Sequence, residues 1–212
     1  MDVVVLVSGR GSNLRAICTA IDAGACDAKI VGVVSDRKNA AALEFAQARG
    51  VPTKVVPLRK SDDRDRWNEL LAQEVAQLDP ELIVLAGFMR VLGRPLLDRF
   101  PGRIINVHPA LLPSFPGHDG PQDALAGGVR VSGCTVHIVD AGVDTGPIIA
   151  QAAVPVLVDD TAETLHARIQ VQEHRLLPGV IHQIAIGAIT LAPLTVRTAV
   201  ADPTRSLTVP DA

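Results

Sequence analysis

Three short stretches of the chain carry side chains whose types and spacing suit chemistry. The first is Asn106-Val107-His108-Pro109. Side chains alternate along a strand, so Asn106 and His108 project to one face, and Pro109 biases His108 toward an extended conformation at the strand's carboxyl end. Open α/β sheets bind ligands at that edge. An amide donor beside an imidazole can hold the oxyanion that develops during acyl transfer. These residues alone also allow a purely structural histidine. The second stretch is the acidic loop from Asp140 to Asp144, closed by Thr145-Gly146-Pro147. A carboxylate near His108 would raise its pKa and favour an imidazolium able to protonate an oxyanion or a leaving nitrogen. Asp and Gly are equally ordinary turn residues.

The third stretch is Ser8-Gly9-Arg10-Gly11-Ser12-Asn13. Between a strand and a helix, its free backbone N–H groups and the helix dipole would favour an anion. The alternative is a tight turn with Ser12 or Asn13 as N-cap. The loop lacks the Gly-Lys-Ser/Thr of a Walker A motif, and Leu14 stands where G-x-G-x-x-G needs its third glycine. Asp36 ends the second strand where a dinucleotide-binding fold keeps an acid for a ribose hydroxyl, which leaves an NAD- or nucleotide-binding protein as a rival. A metal hydrolase could be assembled from His108, His118, Asp119, His137 and Asp144, but no HxH or HExxH spacing supports it.

These residues need a scaffold, and the hydrophobic pattern supplies one. Short β-branched runs at residues 3–7, 29–34, 53–56, 82–86 and 103–107 alternate with segments of helical period, predicting βαβ units around a mostly parallel sheet flanked by helices. Leu14, Ile17, Cys18 and Ile21 form one buried helical stripe. Asn39 caps the next helix in this reading and Gly50 ends it. A third helix starts at Ser61, carries Asp62 and Asp63 in its first turn, and buries Trp67, Leu70, Leu71, Val75 and Leu78, with Asp79-Pro80 as its stop. Pro109, Pro113, Pro116, Gly117 and Gly120 argue against helix or strand across the whole connection. Two strands at 135–139 and 147–154, a short loop apart, form an antiparallel pair at one side of the sheet. A last helix runs from Thr161 toward Gly187, with a bend expected at Pro178. The expected organisation is one domain over residues 1–196 and a weakly structured tail over 197–212.

Composition narrows the partners. The chain has 212 residues, 48% of them hydrophobic and 20% charged, with a mean hydropathy of +0.28. Aromatic residues make up 2% and the net charge is −3, so neither stacking platforms nor phosphate attraction favour nucleic acid. Three cysteines without a CxxC pair fit reduced thiols, and no signal peptide or membrane span is legible, so a cytoplasmic location is expected.

Taken together, SGRGSN, then AGFMRVL at 86–92, NVHPALLPSFPG at 106–117, DAGVDTGPI at 140–148 and QVQEH at 170–174 resemble the glycinamide ribonucleotide formyltransferase family. The order, spacing and length match over about residues 1 to 190. The resemblance implies a Rossmann-like formyltransferase fold and transfer of the formyl group of 10-formyltetrahydrofolate, a co-substrate, to the amine of 5′-phosphoribosylglycinamide in purine biosynthesis, without a metal. It implies that Asn106 and protonated His108 stabilise the oxyanion and that Asp144 keeps His108 basic and assists proton transfer. Gly11, Ser12 and Asn13 match a phosphate cradle, and Gln170 and Glu173 match positions that hold the ribose. Met89, Arg90, Val91 and Leu92, with Asn106, Asp140, Ala141 and Val143, match the folate pocket, and Arg64 matches a position near the folate's carboxylate tail. The chain departs from the family at His118-Asp119-Gly120, where Asp119 falls on a position usually held by histidine; altered lid behaviour or folate affinity is the expected consequence. A methionyl-tRNA formyltransferase would carry an added RNA-binding domain and a formyltetrahydrofolate hydrolase a regulatory one. A formyltransferase for amino-sugar nucleotides stays as an alternative, although it would leave the phosphate loop unexplained.

Overall fold

The computed structural model describes residues 1–192 and 195–198. The elements in chain order are β1 (Asp2–Val7), α1 (Ser12–Asp22), β2 (Lys29–Ser35), α2 (Ala41–Ala48), β3 (Thr53–Val55), α3 (Arg64–Ala76), β4 (Leu82–Leu85), α4 (Arg94–Arg99), β5 (Ile104–His108), α5 (Gly120–Ala126), β6 (Val131–Ile138), β7 (Ile148–Pro155), α6 (Ala162–Ala185), β8 (Ile189–Ala192) and β9 (Thr195–Thr198). Seven strands form one sheet in the order β3-β2-β1-β4-β5-β6-β7. Strands β1 to β5 pair in parallel, whereas β6 runs antiparallel to β5 and β7 antiparallel to β6. The α/β class, the mostly parallel sheet and the late antiparallel pair are as the sequence predicts.

The continuous apolar run of β1 is explained by helices on both faces. Val3, Val5 and Val7 face a core shared with Leu14 and Ile17 of α1 and Leu165, Ile169 and Leu177 of α6. Val4 and Leu6 face the other core, built with Trp67, Leu71 and Val75 of α3 and Leu96 of α4. The period of two sorts one strand between two cores. Because β1 lies between β2 and β4, chain connections leave it in opposite directions, and a crevice opens above its carboxyl end.

Several local expectations need correction. Gly11, with φ 76°, stands at the N-cap of α1, so Ser12 opens the helix instead of capping it. A Cβ at Gly11 would stand 2.6 Å from that of Ala42, so close packing as well as conformation requires glycine there. Ala40, not Asn39, precedes α2. Asp63 caps α3 by accepting from the Asp65 and Arg66 amides, which moves the start three residues beyond Ser61. Leu70 is exposed. The connection after β5 contains α5, because Pro121 sits in its first turn, where a missing N–H costs nothing. The same device starts α4 with Pro95. Helix α6 continues through Pro178 to Ala185. Arg197 and Thr198 lie in β9, paired with β8, and the rest of the expected tail lies outside the described residues.

Candidate active site

Strand β5 ends in the crevice, and its register with β6 builds the reacting centre. Asn106 pairs directly with His137 across the two strands, so the side chains share a face. The Asn106 amide nitrogen lies 3.2 Å from His137 Nε2 and donates to Asp144 Oδ1 at 3.4 Å. His137 Nδ1 lies 2.9 Å from the Ile138 carbonyl, which takes the Nδ1 proton and leaves Nε2 to face Asn106 and Asp144. Asp144 Oδ1 is 3.4 Å from that nitrogen, and its Oδ2 is 3.4 Å from His108 Nδ1. Asp144 sits at φ 55°, a left-handed conformation that Asp tolerates better than most residues. One carboxylate therefore touches Asn106 and two imidazoles.

The loop after β5 closes over this group. His108 Nε2 lies 2.8 Å from the Phe115 carbonyl, and the Gly117 amide donates to Asp144 Oδ2 at 2.9 Å. Burial pushes the His108 pKa down, the Phe115 carbonyl and Asp144 push it up, and His137 pushes it down again; the net direction is downward. The sequence expectation that Asp144 raises the basicity of His108 is right about the sign of that pair, but desolvation outweighs it in the free protein. Burial pushes Asp144 upward, yet His137, the Gly117 amide and His108 together hold its carboxyl below the ordinary value.

The crevice is a cleft of about 780 Å³ that runs from this centre to the glycine loop. There α6 lies across the start of α1. Gln170 donates to Ser12 Oγ at 3.3 Å, and Asn13 donates to Glu173 Oε2 at 3.0 Å. Glu173 is buried, which pushes its pKa up against the opposing effect of the Asn13 hydrogen bond. The Asn13 side-chain oxygen, Oδ1, is buried with no hydrogen-bond partner among the described residues.

At the other end of the cleft, Ser8 donates to Asp36 Oδ1 at 2.6 Å, Arg90 Nε donates to Asp36 Oδ2 at 2.7 Å, and the Met89 amide donates to Ser8 Oγ at 2.9 Å. The Asp36 side chain is fully buried. Both of its oxygens serve to pin the segment after β4, so neither is free for a cofactor ribose, and the dinucleotide reading loses its acid. Arg64 stacks on Trp67 at 4.6 Å and donates to the Val91 carbonyl.

Among the site residues read from sequence, Gly11, Ser12, Asn13, Met89, Arg90, Val91, Leu92, Asn106, His108, Asp140, Val143, Asp144, Gln170 and Glu173 all line this cleft. Arg64 and Ala141 do not: Arg64 stands behind Val91, and only its neighbours Asp140 and Gly142 bring the Ala141 turn to the wall. Sequence reasoning missed Arg37 and His166 as lining residues, and named Arg10 only as part of the glycine loop and His137 only in the rival metal reading. His137 was within reach, because an antiparallel partner of β5 must place every second side chain beside Asn106 and His108. His118 and Asp119 line the mouth, exposed and paired to each other at 2.9 Å. Among the described residues, no group of three or more His, Cys, Asp or Glu side chains is arranged to hold a metal ion, and no helix is long and apolar enough to cross a membrane.

A family model described as formyl transferase matches residues 1–181. The chain is 50% identical over 192 residues to a phosphoribosylglycinamide formyltransferase of Mycobacterium tuberculosis, covering 91% of this chain and 88% of that protein. It is 41% identical over 180 residues to the phosphoribosylglycinamide formyltransferase of Bacillus subtilis, covering 85% and 92%. The crystal structure of glycinamide ribonucleotide transformylase 1 from Symbiobacterium toebii superposes with a TM-score of 0.89 at 43% identity, covering 93% of each chain.

Proposed function

The chain belongs to the formyl transferase family, and from that premise we propose that its cleft carries a formyl group from 10-formyltetrahydrofolate to the amine of 5′-phosphoribosylglycinamide. The products are the formylated ribonucleotide and tetrahydrofolate, a step of purine biosynthesis. The observation that carries this reading is the continuity of one cleft from the glycine loop to Asn106, His108 and Asp144, which lets one phosphorylated amine reach both ends.

The amine nitrogen attacks the formyl carbon, and the carbonyl oxygen becomes an oxyanion. Asn106 donates to that oxyanion by releasing one of its two long bonds, at 3.2 Å to His137 or 3.4 Å to Asp144. His108 contributes as imidazolium: the developing negative charge and Asp144 Oδ2 together reverse the desolvation that holds it neutral at rest. Asp144 accepts the proton lost by the attacking amine, directly or through water. The oxyanion re-forms the carbonyl as the carbon–nitrogen bond to the folate breaks, and the leaving nitrogen takes the proton that Asp144 accepted, which regenerates the carboxylate. The backbone of the 89–92 segment and the Asp140–Val143 turn hold the pterin, and Arg64, held behind Val91, is the cation nearest that segment for the folate's carboxylate tail. Gly11 to Asn13 hold the phosphate, and Gln170 and Glu173 hold the ribose. We place these roles on one catalytic unit spanning residues 1–196, and three buried free cysteines fit a reducing compartment such as the cytoplasm.

The test is to incubate the protein with 10-formyltetrahydrofolate carrying a ¹³C-labelled formyl group and with 5′-phosphoribosylglycinamide, and to follow the label. Appearance of ¹³C in the ribonucleotide is expected; label released only as formate would replace transfer by hydrolysis.

A further inference from the structure

Helix α6 crosses the start of α1 in a fixed register. Asn13 meets Glu173, and Ser12 meets Gln170 one turn earlier on α6. Continuing by one more turn, His166 falls beside Gly11 and Arg10, because residues four apart share a helix face. It lines the cleft there with Arg10 and Gly11. Neither ring nitrogen is engaged by another described residue. We infer that His166 is an additional, proton-dependent ligand of the acceptor's phosphate group: its imidazole donates to a phosphate oxygen and takes up a proton from solvent as the dianion seats beside the glycine loop.

The inference rests on the phosphate occupying Gly11 to Asn13. The electrostatic surroundings support it. Burial and then the Arg10 guanidinium hold the free imidazole below its ordinary value; an anion between the two cations replaces their repulsion by attraction to both. Arg37 adds positive charge from beyond β2, and His118 and Asp119 face the site from the segment before α5. On α6 itself, Glu163 and Glu173 flank His166 one turn earlier and two turns later. Glu173 is occupied by Asn13, and Glu163 is held as a carboxylate by the Thr161 side chain and its own amide. The cation count at the loop then rises by one as the phosphate seats and His166 takes up its proton.

Two measurements on the intact chain test this. The first is the KM for 5′-phosphoribosylglycinamide between pH 5.5 and 8.5 for the native chain, H166Q and H166A. The phosphate's own second ionisation, near pH 6, is common to all three, so the difference between profiles isolates His166. The expected result at pH 6.5 is a rise in KM of about tenfold in H166A, with the loss falling on KM and not on kcat. H166Q should recover part of the affinity but none of the extra pH dependence. Equal KM profiles for the native chain and H166A would overturn the inference. The second measurement is calorimetry with ribose 5-phosphate in two buffers of different ionisation enthalpy, which counts protons taken up. Uptake by the native chain that vanishes in H166A supports the role even if no formyl transfer to the ribonucleotide is found; identical uptake in both rejects it even if transfer is normal.

Discussion

Asp144 Oδ2 stands 3.4 Å from His108 Nδ1 and accepts the Gly117 amide at 2.9 Å, while Oδ1 stands 3.4 Å from His137 Nε2. The carboxylate is thus the junction at which the β5 histidine, the β6 histidine and the closing loop meet. Its position depends on all three, and the proposed chemistry depends on it.

Replacing Asp144 by Asn keeps the size and most hydrogen bonds but removes the charge that stabilises imidazolium at His108. Turnover should fall by about 10² to 10⁴, the range of general acid–base contributions. The KM for the ribonucleotide should change little, because Asp144 is remote from the glycine loop. Steady-state kinetics with each substrate varied checks both halves.

The resting His108 is held neutral by burial, so its titration by NMR should lie below 6.5 in the free protein and lower still in D144N. A histidine whose folded pKa is depressed contributes stability that is complete above its unfolded value and is lost as pH falls through the folded value. The lowered carboxyl of Asp144 acts in the same direction at lower pH. Denaturant melts at pH 7.5 and 5.5 should show the native chain weakening on acidification, and H108Q weakening less.

Glu173 carries the opposite sign. Its pKa is raised by burial, so its stabilising contribution exists below the unfolded carboxyl value and disappears as pH rises through the folded one. At pH 8 the carboxylate is a cost of folding. E173Q should therefore raise Tm, by about 2–4 °C for each kcal/mol recovered, while raising KM for the ribonucleotide. N13A should raise that KM too, since the Asn13 amide at 3.0 Å fixes the Glu173 carboxylate. Thermal scans beside kinetics would separate the two effects.

Arg90 and Asp36 form a pair whose acidic member is fully buried. Truncating Arg90 to Ala strands that carboxylate and should cost about 3 kcal/mol. Adding D36N to R90A should restore most of the loss. Urea denaturation of both variants checks this, and folate KM should rise in each because the 89–92 segment loses the Arg90 anchor to Asp36.

The sheet was legible because β1 to β5 carry apolar runs of strand length that helices cover on both faces. The Asn106 and His108 pairing followed from the two-residue period alone. Helices α4 and α5 were not legible: each is short and opens on a proline that reads as a breaker until its first-turn position is known. Asp36 looked like a cofactor acid because strand position is visible in sequence while a hydrogen bond to Arg90, 54 residues away, is not. His137, grouped by sequence only with a rival metal site, and His166, not singled out at all, escaped for the same reason, since their places come from cross-strand and interhelical register. The net pKa direction at His108 needed the burial that only packing supplies.

The most direct measurement is amine-dependent release of folate product from 10-formyltetrahydrofolate, run with EDTA present, with 5′-phosphoribosylglycinamide or an amino-sugar nucleotide as acceptor, and with D144N in parallel. The mechanism predicts product only with the ribonucleotide, undiminished by the chelator and lower by at least about a hundredfold in D144N. Product with the amino-sugar nucleotide alone, or a D144N rate near that of the native chain, would contradict it.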